Sequence, residues 1–529
     1  MDILKTIESY AWSAPDQAAI ISDGDVLTYR NLDTYSTALA HWIASNCENH
    51  KVPIIVYGHK EALMLVCFLA CVKAGHAYCP IDISVPAQRV QKIAETVNPP
   101  LILCPGTNPG STPEEIFQTV SPVILNQDKI QSIITGKSDV NTASSSMEAF
   151  YDHKDKELFP VTGNDTFYII FTSGSTGTPK GVQISAECLS NFLDWSAGLG
   201  YPSQEKTGAV FLNQAPFSFD LSVMDLYTCL ACGGTLWTLN KETQSDYKWL
   251  LDSLRKSHAQ IWVSTPSFAD MCLADPYFCG ELMPDLRLFL FCGETLTNHT
   301  ARQLLERFPK GKIINTYGPT ESTVALTEVT ITKELLDNEP VLPVGRVKLG
   351  SLIEIWDEQG HPVPEGTNGE IVLLGNTIST GYYQLPEQTQ KSFFQCERDG
   401  QTIRGYLTGD CGYLKGGMLY YQGRIDLQIK LHGYRIELED IEQNIQKLAD
   451  VKNVVVTPNI QEGKVKSLTA HLVYEGLIEN RLKTAKKLKE EMKQFLPDYM
   501  IPKKIHFLEQ IPMTVNGKAD RKRLGGETT

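Results

Sequence analysis

A short aromatic and β-branched run, Phe167-Tyr168-Ile169-Ile170, opens directly into FTSGSTGTPKG, Phe171 to Gly181. This junction limits the possible folds more than any other stretch. The run reads as a buried strand. The eleven residues after it hold three glycines, five hydroxyls and one lysine. Glycine lets the backbone come close to an anion, N–H groups and hydroxyls donate to it, and Lys180 adds positive charge. A strand that ends in such a loop is built to hold phosphate. A flexible linker needs neither the buried strand nor the Pro179-Lys180-Gly181 ending. The spacing also departs from the P-loop, which sets Gly-Lys-Ser/Thr after four spacer residues.

The surrounding pattern predicts an α/β protein. Apolar strand-like runs (Pro53 to Tyr57, Leu101 to Leu103, Val210 to Leu212, Ile261 to Val263, Leu288 to Phe291) alternate with helical segments such as Lys60 to Lys73. That alternation implies mostly parallel sheets covered by helices. Polar Thr135 to Lys156 reads as an exposed loop. From about Val341 to Tyr421 short strands and turns predict a β-rich module. The division expected is a large N-terminal domain, residues 1–425, and a small α+β C-terminal domain, residues 427–529. The tail reads as helix Glu439 to Leu448, strands Val451 to Val456 and Leu468 to Tyr474, helix Arg481 to Phe495 and strand Lys504 to Leu508.

Charge narrows the partners. The net charge is −14; from Leu427 onward 18 Lys/Arg meet 14 Asp/Glu, giving +4 and leaving −18 on the rest. An acidic body speaks against nucleic acid, which needs clustered cations. Arg481, Lys483, Lys486, Lys487, Lys489 and Lys493 stud one predicted helix, either as a solvated face or as a surface for an acidic protein. No apolar run reaches the length of a membrane span, and no signal-peptide segment follows Met1-Asp2-Ile3-Leu4-Lys5. Thirteen scattered cysteines suit a reducing cytoplasm, and Cys229-x-x-Cys232 sits in an apolar run that reads as core.

The motifs, taken in order, resemble those of the adenylate-forming enzymes, a superfamily of acyl-CoA ligases, luciferases and peptide-synthetase adenylation domains. Leu27-Thr28-Tyr29, VKAGHAYCPID (Val72 to Asp82), the phosphate loop, NTYGPTE (Asn315 to Glu321), Thr408-Gly409-Asp410, GRIDLQIK (Gly423 to Lys430) and Asn516-Gly517-Lys518 carry the likeness across nearly the whole chain. The resemblance implies that a carboxylate attacks the α-phosphate of ATP, and that a thiol then displaces AMP. It assigns ATP to Thr172, Ser173, Gly174, Ser175, Thr176 and Gly177, and to Asn315, Thr316, Tyr317, Gly318, Pro319 and Thr320. Asp410 would accept from the ribose hydroxyls, with Tyr421, Gln422, Gly423 and Arg424 beside the nucleotide. Glu321 would bind Mg²⁺. Lys518 would bridge the substrate carboxylate and the α-phosphate as the catalytic cation, and Asp426 would be the hinge about which the small domain turns between the two half-reactions.

The stretch APFSFDLSVMDLY, Ala215 to Tyr227, bears on the acid activated. Asp220 matches the aspartate that takes the α-ammonium in amino-acid-activating members; Asp is equally at home as a helix N-cap. Asp225 is the competing carboxylate. Cys292, in Phe291-Cys292-Gly293-Glu294, and Val324 would narrow the pocket. With KLHGYRIELEDIE (Lys430 to Glu442), Cys292 resembles the branch that activates D-alanine for a separate carrier protein. Leu407 departs from the arginine usual in peptide-synthetase domains. No carrier module follows Lys518, so the thiol is expected from a small, acidic, phosphopantetheinylated protein acting in trans, in D-alanylation of teichoic acids. The alternatives are a free-standing amino-acid adenylation enzyme of peptide or siderophore synthesis, an acyl-CoA ligase, or a nucleotide-binding scaffold.

Overall fold

In the computed structural model the described residues are 1–529 except 48–50, 107–111, 121, 137–156, 175–178, 202–205, 399, 426–427, 462–463, 479, 514–518 and 526–529. Two parallel-centred sheets dominate the first 350 residues, as expected for α/β. The larger has nine strands. Its six central strands, from Ala18–Ser22 through Thr235–Thr238, Val210–Asn213, Ile261–Ser264 and Leu288–Phe291 to Lys312–Tyr317, run parallel. Antiparallel strands finish both edges. The second sheet has six strands, with Ile54–Gly58 and Tyr78–Asp82 at its centre. Strands such as IIVYG and LFLF are buried along their whole length, which explains their unbroken apolar character: helices cover both faces.

Thr166–Thr172 and Lys180–Ser185 close one edge of the second sheet as an antiparallel pair. Thr172 is paired to Lys180 at the base of the loop expected to hold phosphate, of which residues 175–178 lie outside the described residues. Residues 137–156, most of the loop expected at Thr135 to Lys156, lie outside the described residues; Gln127–Thr135 is a helix.

The β-rich expectation appears as an antiparallel five-stranded sheet between Ser351 and Arg424. Beyond it the tail builds its own core, from Ile429, Ile441, Val456, Leu472, Leu488 and other residues of the tail. A three-stranded sheet (Val451–Gln461, Lys464–Tyr474, Lys504–Leu508) and the helices Leu438–Ile445 and Arg481–Met492 enclose that core. The hairpin Gln428–Leu431 with Tyr434–Glu437 packs Ile429, Leu431 and Ile436 on that core and reaches from it into the cleft of the large domain.

Candidate functional site

The cleft lies at the carboxyl ends of the parallel strands, where α/β sheets place ligands. Three short segments supply most of it. After Val210–Asn213 the chain turns through Ala215 to Phe219 and starts the helix Leu221–Ala231 at Asp220. Leu288–Phe291 delivers Cys292, and Lys312–Tyr317 delivers the turn Gly318 to Ala325. That turn is tight. A Cβ on Gly318 would sit 2.5 Å from Ala325 Cα. Thr323 and Val324 both take positive φ, 61° and 69°, which is costly for β-branched residues. The strain points Val324 into the same cavity as Asp220 and Cys292.

Asp220 is 7% exposed and makes no side-chain cap bond, although it stands at the helix start. Burial pushes its carboxyl up to about 6, against a hydrogen bond from Thr320 that lowers it. This is a sequestered acid facing a cavity, with Lys430 on the same lining lowering its carboxyl too weakly to offset burial. Asp225, the competing carboxylate, lies elsewhere: it is fully buried and accepts from Asn213 Nδ2 at 2.8 Å. Cys292 Sγ donates to the Val324 carbonyl at 3.6 Å, and burial keeps the thiol protonated by raising its pKa.

The side expected to take the nucleotide is made of paired charges. Asp410 and Arg424 face each other across antiparallel strands, 2.8 Å apart, and Tyr317 Oη donates to the same carboxylate at 2.5 Å. Although burial works against it, Lys430 and Arg424 hold the Asp410 carboxyl below its usual range. Lys430 lies 5.2 Å and 5.0 Å from the ring centroids of Tyr317 and Tyr421. Asn315 donates inward to the Pro343 carbonyl and Thr316 to the Phe291 carbonyl, so both side chains brace the strand end. Gln422 is exposed and borders neither cavity here. Ser175, Thr176, Gly177, Asp426 and Lys518 lie outside the described residues.

The hairpin of the tail fills what remains. Arg435 Nη1 meets Glu321 Oε2 at 2.6 Å, and Tyr382 Oη donates to the other carboxylate oxygen at 2.8 Å. Burial alone would raise the Glu321 carboxyl; these partners hold it below its usual range. Ser173 of the phosphate loop donates to the Arg435 carbonyl and accepts from the Glu437 amide. At the hairpin tip, Gly433 takes φ +84°, and a Cβ there would meet Thr265 Cγ2 at 2.5 Å, so only glycine fits. Its N–H donates to Glu294 Oε1 at 2.9 Å.

The spaces left are small: about 30 Å³ beside Asp220 and about 20 Å³ beside Tyr421. Either holds a water or two, far short of a nucleotide. A third cavity of about 210 Å³ opens at the seam between large domain and tail, bordered by His59, Asp82, Gln214, Lys241, Tyr434 and Tyr499. Tyr434 stacks on Tyr499 at 3.7 Å and on Phe219 at 5.4 Å. That stack separates the seam cavity from the Asp220 cavity.

Sequence reasoning gave no role to Arg435, Glu294, Lys430 or Phe219. The glycine and arginine of KLHGYRIELEDIE were the available signal, since a glycine-tipped hairpin bearing an arginine is suited to insertion beside an anion.

Similarity to known proteins agrees with this geometry. Residues 7–383 match the AMP-binding enzyme family, and residues 440–518 match the AMP-binding enzyme C-terminal domain. The D-alanine–D-alanyl carrier protein ligase of Bacillus cereus (strain Q1) is 46% identical over 534 residues, with all of both chains covered. The ligase of the same name from Bacillus thuringiensis (strain Al Hakam) is 45% identical over the same span, again with both chains fully covered. Among solved structures, o-succinylbenzoate CoA synthetase from Bacillus subtilis shares the fold at a TM-score of 0.80 and 19% identity, covering 98% of each chain. With a family model matching residues 7–383 and relatives about 46% identical over the full chain, the chain belongs to the AMP-binding enzymes.

Proposed function

We infer that this chain is an ATP-dependent, AMP-forming ligase that adenylates D-alanine and passes it to the phosphopantetheine thiol of a separate carrier protein. The observation that carries the reading is the cavity shared by Asp220, Cys292 and Val324. Its buried carboxylate, with no ion pair of its own within the described residues, suits an α-ammonium, and its cramped walls suit a methyl side chain. The full-length likeness to ligases of that name supports it. The acceptor is read as a small acidic carrier, the setting as the cytoplasm, and the destination of the alanyl group as teichoic acids. Among the described residues no helix is long and apolar enough to cross a membrane.

The first step brings two anions together while charge grows on the α-phosphate, so positioning and fixed positive charge do most of the work. Thr172, Ser173, Gly174 and the rest of the loop through Gly177 would hold the β- and γ-phosphates. Asp410 would take the ribose, and Lys518 would bridge the two reacting anions. Glu321 fits a hard cation: it is buried, and a cationic guanidinium already lies against it. Mg²⁺ bound there would neutralise phosphate charge, with its remaining ligands drawn from phosphate and water. In the second step the thiol attacks the carbonyl carbon of the adenylate, the C–O bond to phosphate breaks, and AMP departs as an anion. The seam cavity, bordered by the amide side chain of Gln214, leads toward that carbon but ends at the Tyr434–Phe219 stack, so a thiol arm entering there would reach the carbon when the stack parts.

ATP–pyrophosphate exchange with a panel of D- and L-amino acids tests the reading. D-alanine is expected to drive exchange best. Equal exchange with L-alanine removes the chirality claim, and exchange with acetate or benzoate but no amino acid removes the substrate class.

A further inference from the structure

Besides the hairpin contacts in the cleft, a buried ion pair and a partly exposed one tie the tail to the large domain. Arg89, on the helix Ala87–Val97, meets Asp440 of the helix Leu438–Ile445 at 3.1 Å. Asp440 has no exposed surface, and Asn444 Nδ2 donates to its other oxygen at 2.9 Å. On the other side, Lys464 of the strand Lys464–Tyr474 meets Asp270 of the helix Pro266–Leu273 at 2.7 Å. Thr300 donates to the second Asp270 oxygen at 2.6 Å. The helix of Arg89 packs on the six-stranded sheet and that of Asp270 on the nine-stranded sheet, so each pair ties the tail to a different lobe. Between them the hairpin tip is fastened by Glu294, which takes N–H groups from Gly433 of the tail and Ser267 of the large domain.

Two observations say that this docked arrangement is one of two. The tail has a core of its own that contains no residue of the large domain. With the hairpin in place, the cavities of about 30 and 20 Å³ cannot take ATP, and Arg435 and Glu437 hold Glu321 and Ser173. Nucleotide admission therefore requires undocking. Undocking separates both ion pairs into water, where each charge is well solvated; docking buries Arg89, Asp440 and Lys464, each of which then needs its partner, and leaves Asp270 partly exposed. Loss of one partner thus penalises the docked state alone.

We propose that Arg89–Asp440 and Asp270–Lys464 form a two-sided latch that holds the tail docked, and that these four are positioning residues for thiol transfer and not for adenylate formation. The kinetic part of this inference rests on the ligase reading above; the structural part does not. The experiment compares Asp440→Asn, Asp270→Lys, Lys464→Asp and the swap Asp270→Lys/Lys464→Asp with the unaltered full chain. ATP–pyrophosphate exchange reads the first half-reaction, single-turnover transfer of alanine to a pantetheine thiol reads the second, and small-angle X-ray scattering reads domain docking. The single variants are expected to keep exchange within about twofold, to lose thiol transfer tenfold or more, and to scatter as more extended particles. The swap is expected to recover most of the transfer and the compact scattering curve. The proposal is overturned if exchange and transfer fall together alongside the melting temperature, or if the single variants transfer and scatter as the unaltered chain does. An unaltered chain without amino-acid-dependent exchange sinks the ligase reading, and scattering of the same variants still decides the latch.

Discussion

Replacing Asp220 with Asn should make the empty protein more stable while it disables amino-acid binding. The carboxyl rises from 3.8 to about 6 because it is buried and only partly compensated by Thr320. At 1.36 kcal/mol per unit, ionising it in the folded state costs about 3 kcal/mol. An acid with a raised folded pKa carries no such cost below about 3.8, a growing one between the two values, and the full cost above about 6. Asn keeps an acceptor for Thr320 and has no charge to desolvate. Denaturant unfolding at pH 7.5 should therefore show the variant more stable by up to about 3 kcal/mol, with the gain reduced to about half at pH 5. The same change removes the partner of a buried ammonium, a loss of about 3 kcal/mol or roughly 150-fold in kcat/KM for D-alanine. Exchange kinetics measure that loss, and the KM for ATP should move little. A variant less stable than the parent at pH 7.5, or one with undiminished exchange, refutes the reasoning.

Four further outcomes follow from the proposed site. In the parent enzyme, KM for D-alanine should rise as pH falls through about 6, because the protonated acid cannot hold the ammonium, and a pH series of exchange rates with Asp220→Asn beside it should show the limb only in the parent. Cys292→Ala should admit L-alanine, narrowing the D/L ratio of kcat/KM by about tenfold, since one heavy atom in a tight pocket is worth about 1–3 kcal/mol. Lys518→Met should lower the exchange rate by 10² or more, a barrier of about 3 kcal/mol, without changing the melting temperature; chelation of Mg²⁺ by EDTA should stop exchange, with activity returning on addition of the metal.

What the sequence disclosed and what it hid divide along contact distance. The strands at Leu101–Leu103 and Leu288–Phe291 stand where the apolar runs predict them, because full burial writes itself into consecutive residues; Lys504–Leu508 is also a strand as expected, though none of its residues is fully buried. The helix expected from Lys60 begins at Leu63 instead. Lys60 is turned inward, its ammonium bonded to the carbonyls of Asn213, Gln214 and Ala215 and to the Asn213 side chain; burial brings it down to about 7. No periodicity announces a contact 153 residues away. The candidate site was legible as ordered motifs, yet its present occupant was not: Arg435 and Glu321 are 114 residues apart in sequence and 2.6 Å apart in space. Arg89 and Asp440 are likewise separated by 351 residues. Such pairs depend on how two finished cores meet, and that is recorded in no single segment.

The clasp of Ser173 and Glu321 by the hairpin has a bearing on direction. On the proposed reading, those two side chains are the ones a departing pyrophosphate would have to revisit. While Glu437 and Arg435 occupy them, the activated amino acid is shielded from reversal, with the Tyr434–Phe219 stack standing between it and the seam. Commitment to product is then written into which anion the cleft can accept, with no irreversible bond required of the protein itself.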